Sequence, residues 1–226
     1  MSRALGSVAL NSGARVKNFA HDCVAQFRRI SGIQRASNFR HLEIAFVLPL
    51  NDAAHNYMTK LQVDILKKHG VNQGLAAPPH ITLKLGFKAT ELGSYENYLD
   101  ELAKTTAPVE IGLNNIGKFE EGILFLDVEQ NHKLDHLRRR IVRELSSRFG
   151  VQPRPLEGDR YHFHATLAYG LGDRRFKDEY ELLSSLAPKF HFKAKSIELL
   201  LHNGVHWVTY RRAALTGLSD SSDIVT

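Results

Sequence analysis

Two histidine–x–threonine triplets are the groups in this sequence best suited to acid/base chemistry: His80-Ile81-Thr82 and His164-Ala165-Thr166. Side chains alternate between the faces of a strand, so the histidine and threonine of each triplet project from one face. Histidine titrates near neutral pH and can take or give a proton. Threonine hydroxyls can donate hydrogen bonds to oxygens on which charge develops. Together these groups suit phosphodiester cleavage, with one histidine as base and the other as acid.

Both triplets open predicted strands at equivalent places in an internal repeat, in which each half reads strand, helix, strand, helix, strand. The predicted strands are 42–50, 80–87, 109–116, 123–129, 161–169, 190–201 and 205–215, and the predicted helices are 51–68, 91–104, 133–149 and 176–186. Hairpin turns are expected at Glu120-Glu121-Gly122 and at Asn203-Gly204. If the repeat closes about a twofold axis, the two motif faces meet across a groove.

The predicted fold class is α+β, with two lobes related by a pseudo-twofold axis and antiparallel sheets that flank a central cleft. Residues 1–40 form a basic extension in which apolar positions over 16–30 predict an amphipathic helix. Residues 41–216 form the bilobal domain, and 217–226 are expected to be a polar tail.

The charge distribution narrows the class of partner. The net charge is +6, but the first 40 residues contain 7 basic and 1 acidic residues, which leaves 23 of each sign in the remainder. Because residues 41–226 have no net charge, a long groove that binds a phosphate backbone through many Lys and Arg contacts is not expected. The expected partner is therefore a nucleotide or a short RNA end.

The sequence offers only general indications of compartment. No apolar run is long enough for a membrane span, and the single cysteine, Cys23, fits a reducing compartment such as the cytoplasm. The basic helix over 16–30 is either a transit signal, for mitochondria or another organelle, or an accessory helix docked on the domain. A monomer without a cofactor is expected.

Three further residues are candidates for substrate binding because of their places beside the triplets: Lys84, Tyr161 and His162. Lys84 follows Thr82 by two positions on the predicted active face, and a cation there could offset phosphate charge.

A metal site is the competing interpretation of His162-x-His164, a spacing that can bind zinc or iron with a third ligand. The sequence contains no His-Glu-x-x-His motif and no nearby cysteine, and Glu157 and Asp159 are the acids closest to the pair. We therefore expect chemistry without a metal.

The segments Pro79–Lys84 and His164–Ala168 resemble the paired signatures of the two-histidine (2H) phosphoesterase superfamily, over about residues 42–215. The resemblance is closest to the 2′-5′ RNA ligase and cyclic phosphodiesterase branch. It implies attack on 2′,3′-cyclic phosphates or 2′-5′ linkages, with His80 and His164 as the acid/base pair and Thr82 and Thr166 as phosphate binders. Two alternatives remain: an RNA-binding module with the same cleft but no turnover, and an RNA-end ligase or 3′-end processing activity.

Overall fold

The computed structural model describes residues 42–120, 122–158 and 161–218. Its strands are β1 (Leu42–Pro49), β2 (His80–Ala89), β3 (Val109–Phe119), β4 (Ile123–Val128), β5 (His164–Tyr169), β6 (Lys189–Ala194), β7 (Ser196–His202) and β8 (Trp207–Ala214). Its α-helices are α1 (Asp52–His69), α2 (Gly93–Lys104), α3 (His132–Phe149) and α4 (Asp173–Ser184), and 3₁₀ helices cover Gln73–Ala76 and Pro155–Glu157. The predicted N-terminal helix and residues 219–226 of the predicted tail lie outside the described residues.

The described strands form two antiparallel sheets of four, in the orders β2-β1-β7-β8 and β5-β4-β3-β6. The two strands that carry the triplets, β2 and β5, occupy the same edge position in their sheets, and each pairs with the strand that precedes it in the chain. This arrangement confirms the predicted α+β fold with two equivalent antiparallel sheets.

The helices repeat as regularly as the strands. Helices α1 and α3 each have 18 residues, begin after an asparagine cap and end at a glycine in the left-handed conformation. Asn51 Oδ1 accepts the N–H of Ala54 at the start of α1. Asn131 Oδ1 accepts the N–H groups of Lys133 and Leu134 at the start of α3. Gly70 and Gly150 have φ of 69° and 67°, a region that favours glycine. Helices α2 and α4 have 12 residues each.

One predicted strand is wrong. The run 190–201 is divided at Lys195 into β6 and β7, which belong to different sheets. No glycine or proline marks the break, and the local signal is a shift in the alternation of apolar residues, from positions 190, 192 and 194 to positions 197, 199 and 201. The predicted strand 161–169 is also shorter than expected, since β5 begins only at His164.

The core lies against the faces of β2 and β5 opposite to their histidines. Ile81, Leu83, Ala165 and Leu167 are fully buried there and belong to one hydrophobic cluster shared with the helices. The histidine faces are therefore left to line a cleft. Among the described helices, none is both long and apolar enough to cross a membrane.

Candidate active site

The two histidine–x–threonine triplets line one pocket of about 70 Å³ between β2 and β5. His80, Thr82, His164 and Thr166 all contribute to its wall, and both histidines are partly buried. Two triplets separated by 84 positions in the sequence thus form one site, as the repeat predicts.

Each histidine is fixed by the same backbone contact. His80 Nδ1 lies 2.7 Å from the carbonyl oxygen of Pro78, and His164 Nδ1 lies 2.8 Å from the carbonyl oxygen of His162. A carbonyl can only accept, so Nδ1 carries the proton in both rings. Nε2 is therefore the nitrogen left for proton transfer in each neutral imidazole.

Burial lowers the pKa of both histidines. For His80, the bond to the Pro78 carbonyl and the charge of Glu198 partly offset the loss of hydration. For His164, burial lowers the pKa to about 4; the bond to the His162 carbonyl opposes this, whereas the charges of His162 and His80 add to it. Both rings are consequently neutral at pH 7, with a lone pair on Nε2 that can act as a base.

A β-bulge follows the threonine in both motif strands. The register of β2 against β1 shifts after Thr82, and the register of β5 against β4 shifts after Thr166. An extra residue in a strand displaces the alternation of its side chains. The next pocket residues are therefore Leu85 and Tyr169, each three positions after its threonine.

The bulge turns Lys84 away from the cleft, so the prediction that Lys84 lies on the active face is wrong. Its side chain is fully buried, and Nζ donates to Glu157 Oε2 at 2.5 Å. The same carboxylate accepts the N–H groups of Leu85 and Arg154, both at 2.8 Å. Lys84 is thus part of a buried ion pair that ties residues 154–157 to β2, and its ammonium is not available to a substrate.

The backbone carbonyl of each motif threonine is held by a side chain from elsewhere in the chain. Tyr161 Oη donates to the Thr82 carbonyl at 3.0 Å. Gln62 Nε2, on α1, donates to the carbonyl of Thr166 at 3.4 Å and to that of Gly74 at 2.7 Å. These bonds satisfy carbonyls beside the bulges and fix both strands. Tyr161 also lines the pocket, so its contact with substrate stays a prediction.

His162 lies beside the pocket rather than in its wall. Its Nε2 is 2.9 Å from Asp127 Oδ1, and its ring stands edge-on to Phe119 and Phe125. The structure gives His162 a clear role through its carbonyl, which holds His164. Its predicted contact with substrate remains a prediction.

The alternative metal interpretation finds little support in the arrangement of donors. Within the ranges that the structure describes, no three His, Cys, Asp or Glu side chains are grouped so that they could hold a metal ion. Glu157 is committed to Lys84, and Asp159 lies outside the described residues.

Several residues of the pocket could not be identified from the sequence. Gly74 lies where a Cβ would stand 2.1 Å from the carbonyl oxygen of Leu167, so only glycine lets the 3₁₀ helix approach β5 this closely. Trp207, the single tryptophan, reaches the pocket from β8 across Gly86, where a Cβ would meet its ring at 2.8 Å. Both contacts join segments far apart in the chain, which local patterns do not reveal.

Comparison with known sequences places the chain in a family. The sequence model of the 2′-5′ RNA ligase superfamily matches residues 50–206. A protein assigned as a phosphoesterase in Geobacillus thermodenitrificans (strain NG80-2) is 30% identical over 141 residues, which cover 59% of this chain and 76% of that protein. A similarly assigned protein of Bacillus pumilus (strain SAFR-032) is 29% identical over 136 residues, or 57% of this chain and 68% of the relative.

Solved structures share the fold. A protein of Thermus thermophilus superposes with a TM-score of 0.53 at 13% identity, covering 78% of this chain and 100% of the other. Escherichia coli LigT, crystallised with NADP⁺, superposes with a TM-score of 0.51 at 19% identity, covering 78% and 99%. The chain belongs to the 2′-5′ RNA ligase superfamily and is a phosphoesterase of the two-histidine (2H) type.

Proposed function

We propose that this enzyme hydrolyses 2′,3′-cyclic or 2′-5′-linked phosphodiesters of nucleotides or short RNA, without a metal, through His80 and His164. The observation that carries the proposal is the matched pair of Nδ1–carbonyl bonds. They present two Nε2 atoms, in the same tautomer, to one pocket that also contains both threonines.

The proton transfers follow from this geometry. The Nε2 of one neutral histidine takes a proton from water as the water oxygen attacks phosphorus. The other histidine, protonated on Nε2, gives its proton to the oxygen that leaves as the P–O bond breaks. Each such transfer contributes about 10²–10⁴-fold to the rate. The orientation of the bound substrate decides which histidine is the base.

A bound phosphodiester also brings negative charge next to the two histidines. Burial holds the pKa of both histidines down, and a bound anion next to them favours the imidazolium form. Substrate binding thus promotes the protonation of one histidine that the acid role requires. The hydroxyls of Thr82 and Thr166 line the same pocket and would donate to the non-bridging oxygens.

The substrate class rests on family membership and on charge. The name of the superfamily refers to a 2′-5′ RNA linkage, and the assigned relatives are phosphoesterases. The acidic and basic residues balance outside the first 40 residues, which favours a small or terminal phosphodiester over a long strand.

The test is a hydrolysis screen with the purified full chain on 2′,3′-cyclic nucleotides, 2′-5′ oligonucleotides, ADP-ribose cyclic phosphate and RNA 3′ ends. We expect turnover of at least one of these classes in the presence of EDTA. The variants His80→Asn and His164→Asn should each lose at least about 10²-fold in kcat. His132→Asn, an exposed histidine at the start of α3, serves as the matched control.

Three outcomes would count against the proposal. Activity that disappears in EDTA and returns with added zinc or manganese would contradict the metal-free mechanism. Near-normal turnover in both active-site variants would show that the two histidines do not transfer protons. Binding of RNA without any hydrolysis would instead favour the binding-module alternative.

A further inference from the structure

A second cavity, of about 370 Å³, lies between α3 and the segment 153–157. Three arginines of α3, Arg138, Arg139 and Arg143, contribute to its wall, which also contains two serine residues of the same helix. We call it the α3 groove. Neither His80 nor His164 lines it, so the chemistry of the active pocket does not explain it.

The α3 groove and the active pocket share a wall. Leu156 lines the active pocket, and the next residue, Glu157, lines the groove. The guanidinium of Arg138 stacks over the ring of Tyr161 at 4.6 Å, and Tyr161 lines the active pocket. The segment 155–157 therefore separates the two cavities.

The charges around the groove leave an excess of positive charge. Among the residues that the structure describes, the acids beside the groove are Glu157, whose carboxylate is bonded to buried Lys84, and Asp135, which lies 2.8 Å from Arg139 Nε and 3.6 Å from Arg138 Nη2. Arg143 is exposed, and no hydrogen bond or ion pair joins it to another residue in the described ranges. Its guanidinium is free to meet an anion.

Arg138 provides a second, independent indication of a ligand. It is 1% exposed, and its Nη1 and Nη2 donate to the carbonyls of Glu157 and Gly158 at 2.8 and 3.1 Å. Its Nε is buried and has no partner among the described residues. A buried N–H without an acceptor costs about 1–3 kcal/mol, and an anion in the groove would supply that acceptor.

We propose that the α3 groove binds a backbone phosphate of an oligonucleotide whose terminal phosphodiester occupies the active pocket. Guanidinium groups match the geometry of phosphate oxygens, and serine hydroxyls on the same helix add donors. The inference rests on the proposed function and narrows its substrate class from nucleotides in general to short RNA. One strongly bound phosphate is compatible with the absence of net charge on residues 41–226.

The decisive variant is Arg143→Ala in the full chain, assayed on two substrates: a 2′,3′-cyclic mononucleotide and a hexanucleotide that ends in a 2′,3′-cyclic phosphate. Only the hexanucleotide can reach the groove. We expect its KM to rise about tenfold, with kcat unchanged, while both constants for the mononucleotide stay as they are. The slope of log(1/KM) against log[salt] for the hexanucleotide should fall in magnitude by about 0.7.

The matched control is Arg174→Ala, which removes an exposed arginine of α4 away from the groove. It should leave the KM of both substrates unchanged. An unchanged hexanucleotide KM in Arg143→Ala would overturn the proposal. So would an equal rise for both substrates, because the effect would then come from the active pocket itself.

A binding measurement separates this inference from the proposed function. Fluorescence anisotropy of a labelled hexanucleotide with a terminal 3′-phosphate needs no turnover. Arg143→Ala should weaken its Kd about tenfold relative to the unchanged protein and to Arg174→Ala. If no substrate is hydrolysed, the proposed function fails, whereas equal Kd values in the three proteins would reject the groove.

Discussion

At the residue scale, the low pKa values of His80 and His164 determine the expected pH dependence. For an acid/base pair, kcat/KM falls at low pH when the base is protonated and at high pH when the acid has lost its proton. The pKa of His164 is lowered to about 4, and that of His80 is also below its ordinary value of 6.5. We therefore expect the maximum of kcat/KM below pH 6.5.

The maximum of kcat should lie at higher pH than that of kcat/KM, because a bound phosphodiester raises the pKa of both rings in the complex. Rate profiles from pH 4 to 9 on one cyclic nucleotide measure both quantities. A kcat/KM optimum above pH 7 would contradict the lowered pKa values of the two histidines in the free enzyme.

The threonine hydroxyls permit a prediction that separates chemistry from folding. Thr82→Val and Thr166→Val keep the shape of each side chain but remove its donor. We expect each change to lower kcat by about 10²-fold, as for other single donors to a developing charge. Thr→Ser at the same positions should retain most activity. If the valine variants show normal kcat and a raised KM, the hydroxyls only bind the substrate.

At the element scale, the bulges mark the limit of what the sequence could predict about the site. Strict alternation correctly placed His80 and Thr82 on one face, because no irregularity separates them. It failed for Lys84 because the register of β2 is set by its pairing with β1, which lies outside any local pattern. The same reasoning missed Leu85 and Tyr169, which the bulges bring into the pocket.

The buried ion pair between Lys84 and Glu157 should contribute strongly to the stability of the fold. Glu157→Gln leaves the Lys84 ammonium without a countercharge, at a cost of about 3–5 kcal/mol in the free energy of unfolding. Glu101→Gln is the control, since its ion pair with Arg148 is exposed and should matter by about 0.5 kcal/mol. Urea unfolding at pH 7 measures both; equal, small losses would contradict the buried pair.

The pH dependence of the free energy of unfolding of Glu157→Gln provides an internal check. Burial already lowers the pKa of Lys84, and Glu157 opposes that effect. Without the carboxylate, the pKa of folded Lys84 falls further below its unfolded value, so the unfolded state binds more protons. The stability deficit of Glu157→Gln should therefore shrink as the pH rises from 7 to 10. A constant deficit would show that the loss comes from elsewhere.

At the scale of the whole molecule, the internal repeat is the feature that allowed the position of the active pocket to be predicted from the sequence. Two triplets on equivalent strands predicted one shared pocket, and the paired helices α1 and α3 with their asparagine caps and terminal glycines carry clear local signals. The division of 190–201 into β6 and β7 was missed because a change of sheet depends on partners distant in the chain. Trp207 was missed for the same reason.

The described domain contains every residue that the proposed chemistry needs, and this yields a prediction about residues 1–40. His80, His164 and both threonines lie on strands whose partners all fall within 42–214. A chain that begins at residue 41 should therefore keep kcat and KM within about twofold of the full chain on a cyclic mononucleotide, since no pocket group is removed.

The first 40 residues carry the whole net charge of +6, so the truncated protein should differ from the full chain mainly in its electrostatic behaviour. Its elution from a cation exchanger should shift to lower salt, and the binding of RNA should become less sensitive to salt. If residues 1–40 act as a targeting signal, the truncated chain should also change its compartment in cells, as measured by microscopy of the tagged protein. A large loss of kcat with unchanged thermal unfolding would instead show that the extension contributes to the active pocket.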